Sequence, residues 1–254
     1  MQGNPRLGIL LPEDGPPDYE WYELNERHDF GDTLPAIEVG KVFSDGHHEH
    51  MALMSLGATE RLAAVAEGLV KGHGVQAVVW ACTSGSFIGG LEWAFAQSRE
   101  LSQWLGVPAT STALAFRDAL AALACRRVDL LSPYPPEVTE QLMTFLSDSH
   151  VGVDGLQVLD CPYAADSHRL DIAAAVRDFA KRYPSDNPIL VPDTAINTLE
   201  RVGAMNREAG RMVLTANQVS LWAGQATGAK RPTSLPAGTG RGGITCVKQV
   251  GEVF

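Results

Sequence analysis

Residues 75–90, VQAVVWACTSGSFIGG, constrain most of what this chain can become. Val75 to Ala81 form a short Val-rich apolar run, the mark of a strand buried on both faces of a parallel sheet. Cys82 stands where the run stops. Thr83, Ser84, Gly85 and Ser86 follow, and Phe87, Leu91, Phe95 and Leu105 then recur at helical spacing to residue 105. The layout is strand, sharp turn, helix, with a thiol at the turn. The N–H groups of Thr83 to Ser86 are unpaired helix-start donors, placed where the helix dipole favours an anion. Cys82 is then either a small buried hydrophobe, as free cysteines commonly are, or, under the same field, a thiol of lowered pKa resident as thiolate. Residues 188–198, PILVPDTAINT, repeat the layout: an apolar run, then Asp193-Thr194, then a helical pattern through Ile196, Leu199 and Val202. Two such units predict two similar halves, each offering one reactive side chain to a shared cleft, because open α/β sheets carry their sites at the carboxyl ends of strands.

The rest of the chain fits this frame. Strands are expected at 6–11 (RLGILL), 36–43 (AIEVGKVF), 106–110 (GVPAT), 126–132 (RRVDLLS), within GLQVLD, and at the start of RMVLTANQVSLW (211–222). Helical patterns fill the intervals, among them Ala58–Lys71, ended by Gly72 and Gly74, then 111–124, Glu137–Ser147 and Asp171–Lys181. Eight short strands alternating with helices, four in each half, predict an α/β fold. It has two pseudo-symmetric domains, each a four-stranded parallel sheet flanked by helices, with the active site in the cleft between them. The expected first half is 1–112 plus 216–227, carrying Cys82; the second is 113–215, carrying Asp193. Residues 228–254 are Gly/Pro-rich and aperiodic, and are expected to form a flexible C-terminal tail.

Tyr134, in the exit loop after RRVDLLS, places a phenol at another strand's carboxyl end, where it either donates to an anion or caps the core. Pro12, where the first strand gives way to the turn-rich loop PEDGPP, and Val42, near the end of the second strand, join Thr83, Ser84, Tyr134 and Thr194 as expected substrate-binding residues. The loop DGHHEH at 45–50 has metal-ligand residue types without zincin spacing, so a solvated loop or a substrate-covering flap is expected there, and no metal. Cys125, in an Ala/Leu run, is expected in the core, and Cys161 to line the pocket at most.

A net charge of −10 argues against a nucleic-acid partner, and no apolar run reaches the roughly 18 residues of a membrane span. The opening MQGNPRLGILLPEDG lacks the shape of a signal peptide, and the cysteines are not at metal-ligand spacing. A cytoplasmic protein with free thiols is expected; whether it forms a homo-oligomer is left open.

LGILLP, ACTSGSFIGG, SPY at 132–134, the strand ending at residue 193, and VLTANQVSLW together resemble the aspartate/glutamate racemase superfamily, and within it most closely maleate cis–trans isomerase and arylmalonate decarboxylase. The likeness spans about residues 6–226. It implies two pseudo-symmetric α/β domains, a small carboxylate substrate, no cofactor and no metal, and catalytic groups at two mirrored positions, here Cys82 and Asp193. Racemases and maleate isomerases carry cysteine at both positions, the decarboxylase only at the second; this chain keeps the first thiol and has a carboxylate at the second. Maleate isomerases also carry a carboxylate-binding Asn in the first loop, where this chain reads PEDGPP, which points to a substrate with fewer carboxylates or a different group at that end. The leading expectation is isomerisation of a small unsaturated (di)carboxylic acid by addition of the Cys82 thiolate, with Asp193 as general acid/base from the opposite face. Decarboxylation of a malonate-type acid, racemisation or epimerisation of an amino acid by a Cys/Asp pair, and a non-catalytic ligand-binding role are the alternatives.

Overall fold

The computed structural model describes residues 5–26 and 34–228. In chain order the elements are β1 (Arg6–Glu13), α1 (Tyr19–Glu23), β2 (Ala36–Phe43), α2 (His50–Leu56), α3 (Thr59–His73), β3 (Ala77–Trp80), α4 (Ser84–Phe87), α5 (Gly90–Leu105), β4 (Ala109–Ser111) and α6 (Thr112–Ala122). There follow β5 (Arg127–Ser132), α7 (Pro136–Asp148), β6 (Gly152–Val158), α8 (Ala164–His168), α9 (Ile172–Arg182), β7 (Ile189–Val191), α10 (Val202–Ala209), β8 (Val213–Thr215) and α11 (Ala216–Gly228).

The strands form two four-stranded sheets ordered β2-β1-β3-β4 and β6-β5-β7-β8, and all the strand pairs are parallel. The order is the same in each half, which is the internal pseudo-symmetry that the repeated layout predicts. The inner strands β3 and β7, and the edge strand β8, are buried along their whole length, as unbroken apolar runs require. One apolar cluster joins the two sheets. It takes Leu10 and Val78 from the first, Leu130, Leu190 and Leu214 from the second, and Phe116 and Val219 from α6 and α11 between them. Thr112 and Ser220 hydrogen-bond across those two helices at 2.7 Å. The carboxyl ends of β3 and β7 therefore face one shared space.

Several local expectations change. The helix expected to run unbroken from Phe87 to Leu105 is two pieces, a four-residue turn and α5. The chain breaks at Gly90, whose φ of 84° is open to glycine and strained for other residues. Phe95, read as part of the buried stripe, is exposed and carries the Arg117 guanidinium at 5.0 Å, while Ala94, Gln97 and Leu101 face inward. Gly72 lies within α3, and Gly74 alone ends it, in the left-handed conformation. No helix follows Asp193 directly: Oδ1 of Asp193 takes the Ala195 N–H at 3.0 Å, a local side-chain turn that competes with helix formation, and α10 starts only at Val202. Ile196, Leu199 and Val202 are buried nonetheless, so the pattern marked core positions on a loop. Residues 18–34, which show no periodicity, contain the short helix α1. Cys125 is half-buried, outside the core proper. The expected tail from 228 onward lies, after its first residue, outside the described residues.

Two buried carboxylates pin loops. Asp129 is 1% exposed and takes bonds from Ser185, Asn187, the Gly155 amide and, at 2.5 Å, Arg211. Burial would raise its pKa, but these donors outweigh burial and hold the carboxyl below its usual range. Glu20 of α1 accepts the Leu199 N–H at 2.9 Å and the Asn217 side-chain amide, and burial lifts its pKa to about 7 against those bonds. Together Glu20 and Asn217 tie down the loop that carries Asp193.

Candidate active site

The turn after β3 is fixed from several sides. Ser86 Oγ lies 2.7 Å from the Cys82 carbonyl oxygen and receives the Ala113 N–H at 3.1 Å. The Trp80 indole and the Gln97 amide both donate to Gly85 O at 3.1 Å. Cys82 is 4% exposed; the Gly85 N–H points at its sulfur from 3.3 Å, and Ser84 Oγ lies 3.8 Å away. Thr83 Oγ1 is buried without a hydrogen-bond partner.

The thiolate expectation does not hold. Burial pushes the Cys82 thiol up to about 12; the Gly85 amide and Ser84 hydroxyl pull the other way, and the charges of Asp14 and Asp193 add to the rise. Because α4 is only four residues long, the aligned dipole that was to lower the pKa is largely missing. Cys82 therefore rests as a neutral thiol, which reverses the labelling order a thiolate implies. Iodoacetamide at pH 8 should alkylate the half-buried Cys125 before Cys82; peptide mass spectrometry showing Cys82 first would contradict the assignment.

The second half supplies Asp193 and Thr194, both 6% exposed. Oδ2 of Asp193 has no hydrogen-bond partner. Its neighbour is His48, whose Nε2 lies 3.9 Å away and whose Nδ1–H donates to the Cys161 carbonyl at 2.8 Å. Tyr134 is fully buried, stands edge-on to His48 at 4.9 Å, and gives its hydroxyl to the Pro192 carbonyl. That donor, expected to face a substrate carboxylate, instead holds the loop carrying Asp193. Burial, with the charges of Asp193 and Cys82, pushes the phenol well above its ordinary range.

The 44–50 loop is solvated only in part: Asp45, Glu49 and His50 are exposed, while Gly46 and His48 are buried and line the cavity that also holds Cys82. It crosses from the first half and clasps 161–164 of the second: the His48 N–H meets Pro162 O at 2.8 Å, the Ala164 N–H meets Gly46 O at 2.8 Å, and His47 stacks on Tyr163 at 4.8 Å. Gly46 has a φ of 74°, and a Cβ there would sit 3.2 Å from that of Asp14. Glu49 caps α2 through the amides of Met51 and Ala52. Among the described residues, no group of three or more His, Cys, Asp or Glu could hold a metal ion.

Cys82, Ser84, Asp193, Thr194 and Pro12 line one cavity, together with Asp14, Ser44 and His48. About 10 Å³ inside it is free, room for roughly one water. Val42, expected at the substrate, packs into the core instead, and Ser44 two residues on takes the lining position. Cys161 contributes its backbone carbonyl and does not line the cavity. A larger cavity of about 310 Å³, bordered by Leu91, Arg117, Cys125, Arg126 and His150, holds none of the expected site residues. Asp14 and His48 are the groups the sequence reading missed. Asp14 lies in the PEDGPP loop, which the sequence links to one end of the substrate with only Pro12 singled out; burial, then the charge of Asp193, raises its pKa to about 7 despite Lys41 nearby.

The pattern of the arylmalonate decarboxylase family matches residues 55–241, nearly three quarters of the sequence. The chain belongs to the arylmalonate decarboxylase family. A curated relative, the arylmalonate decarboxylase of Bordetella bronchiseptica, is 27% identical over 143 residues. That stretch is 55% of this chain and 60% of the relative, so the match spans less than two thirds of the relative's length. Among solved structures, a liganded arylmalonate decarboxylase variant superposes with a TM-score of 0.74 at 22% identity, over 94% of this chain and 96% of that one. The maleate isomerase of Pseudomonas putida S16, bound to maleate, gives 0.78 at 17% identity over 91% and 94%. A maleate cis–trans isomerase variant from Nocardia farcinica with a covalently bound succinylcysteine intermediate gives 0.75 at 17% identity over 91% and 95%. At these identities the structural likenesses establish the two-domain fold of the family. Among the described residues no helix is long and apolar enough to cross a membrane.

Proposed function

We propose that this member of the family moves a proton at the carbon beside a carboxylate, with the Cys82 thiol as donor, and that the reaction served is loss of carbon dioxide from a malonate-type acid. The observation that carries the reading is a thiol, 4% exposed, in a cavity that also holds an unpartnered carboxylate oxygen, Oδ2 of Asp193. In the proposed step the C–C bond to one carboxylate breaks and its electron pair passes into the other, forming an enediolate as carbon dioxide leaves. The α-carbon takes the proton from Cys82 Sγ. The Gly85 N–H and Ser84 hydroxyl steady the transient thiolate, and once the product has left, Asp14, titrating near 7, takes a proton from solvent and passes it to the sulfur. The Thr194 hydroxyl, in the cavity lining, is the candidate donor to the enediolate oxygen. The free volume is smaller than such an acid, so binding entails outward movement of lining groups.

Isomerisation by thiolate addition, the leading expectation from sequence, becomes the second reading. The Gly85 N–H favours it, since it would stabilise a nucleophilic thiolate. Against it, burial raises the thiol well above Asp14, so forming the thiolate by passing its proton to that carboxylate is uphill before any bond forms. Incubation with phenylmalonate and with maleate in deuterated water, followed by proton NMR, separates the two. The proposal expects phenylacetate with one deuterium at the α-carbon and unchanged maleate; fumarate with unchanged phenylmalonate would replace it with the addition reading.

Asp193→Asn keeps an oxygen for the Ala195 N–H and removes the charge that helps raise the pKa of Asp14. If protonated Asp14 resets the thiol, turnover falls as pH rises through about 7. In the variant this alkaline limb should move to lower pH, by less than the whole shift because burial is the larger cause. A limb that stays in place would remove Asp14 from the mechanism.

A further inference from the structure

The cavity has a polarity that a plain dicarboxylic acid does not match. Two carboxylates line it, Asp14 and Asp193, and among its described lining residues there is no Lys or Arg. Lys41 is the cation near Asp14, but its ammonium is held by Asp18 and the Pro12 carbonyl and does not line the cavity. Asp193 is 94% buried by its 6% exposure, and while Oδ1 is used by the Ala195 N–H, Oδ2 has no hydrogen-bond partner. His48 Nε2, at 3.9 Å, is beyond hydrogen-bond distance. A buried carboxylate oxygen left in this state costs free energy that a ligand donor can recover. A hydroxyl would satisfy one oxygen and leave the like charges facing each other. An ammonium offers three donors and a positive charge, so it can serve both carboxylates at once. The same two carboxylates repel any further anionic group placed beside them, which makes the preference one of exclusion as well as attraction.

We propose that the substrate carries a protonated amine, seated against Asp14 and Asp193, next to the carboxylate-bearing carbon that reacts at Cys82. The class is an amine-bearing malonate-type acid, and the inference rests on the decarboxylase reading for the chemistry but on the cavity alone for the charge.

Aminomalonate and methylmalonate test it as a pair, because an ammonium and a methyl group are close in size and differ in charge and donors. Binding of each is measured by calorimetry to the full-length Cys82→Ala protein, so that turnover does not interfere, and decarboxylation of each by wild type is followed by NMR. The expected result is at least tenfold tighter binding of aminomalonate, with that preference lost when Asp14→Asn is added to Cys82→Ala. Should the double variant not fold, the preference in Cys82→Ala decides alone. Equal binding, tighter binding of methylmalonate, or no binding of either overturns the inference. If wild type then decarboxylates methylmalonate and Cys82→Ala does not, the reaction stands without the amine. If aminomalonate is preferred but wild type decarboxylates neither acid, the charge assignment stands and the reaction falls.

Discussion

Cys82→Ala should lower turnover by about 10²- to 10⁴-fold, the range a positioned proton donor contributes. The fold should survive. Only the sulfur is removed, from a position already beside a cavity, at a stability cost of about 1 kcal/mol for a deletion the size of a methylene. The turn itself is held by Ser86, Trp80 and Gln97 through backbone atoms, none of which needs the thiol. Cys125→Ala is the matched control, since its half-buried thiol donates to the Arg127 carbonyl and borders the other cavity. Circular dichroism and steady-state rates on both variants check this. Full activity in Cys82→Ala would end the thiol mechanism in either of its forms.

The largest expected loss of stability is at Arg211→Ala. The Arg211 side chain is 6% exposed and that of Asp129 1%, with 2.5 Å between Nη1 and Oδ2. Arg211 also donates to the carbonyls of Tyr183, Ser185 and Asn187. Removing it strands a buried carboxylate and frees three carbonyls of the loop leading into β7. Breaking such a pair typically costs about 3–5 kcal/mol, a large part of a domain's margin. Urea unfolding should show the midpoint falling with the slope unchanged. A loss under about 1 kcal/mol would mean that Ser185, Asn187 and the Gly155 amide suffice for Asp129. The pair lies at the strand ends away from Cys82, so the folded fraction should keep its catalytic rate.

How far the sequence could be read depended on whether a residue's role was set locally. The strands were legible because parallel strands are continuous apolar runs, and the repeat of one layout at Cys82 and Asp193 announced two like sheets. Both residues come to one cavity because each follows an inner strand of its sheet. His48 was not legible. Its place depends on the 44–50 loop meeting Pro162 and Ala164 more than a hundred positions away, a contact that no local pattern encodes. Asp14 was hidden for the same reason: its surroundings come from β2 and from Asp193 in the other half. The thiol's protonation was misjudged because the dipole was inferred from local pattern, whereas desolvation is a property of the assembled interior. The apolar spacing of Ile196, Leu199 and Val202 was a true record of burial, but the side chain of Asp193 turned the chain before a helix could start. Val42 was placed by strand position alone, and the alternation of the strand sent it into the core.

The central claim is a single proton donor, Cys82, fixed on one face of the substrate. Decarboxylation of α-methyl-α-phenylmalonate in deuterated water, with the product resolved by chiral chromatography and its isotope content counted by mass spectrometry, tests it most directly. Wild type should give one hand of 2-phenylpropionate in large excess, with one deuterium at the α-carbon, and Cys82→Ala should give neither the rate nor the excess. A racemic product, or an equal excess from Cys82→Ala, would contradict the account.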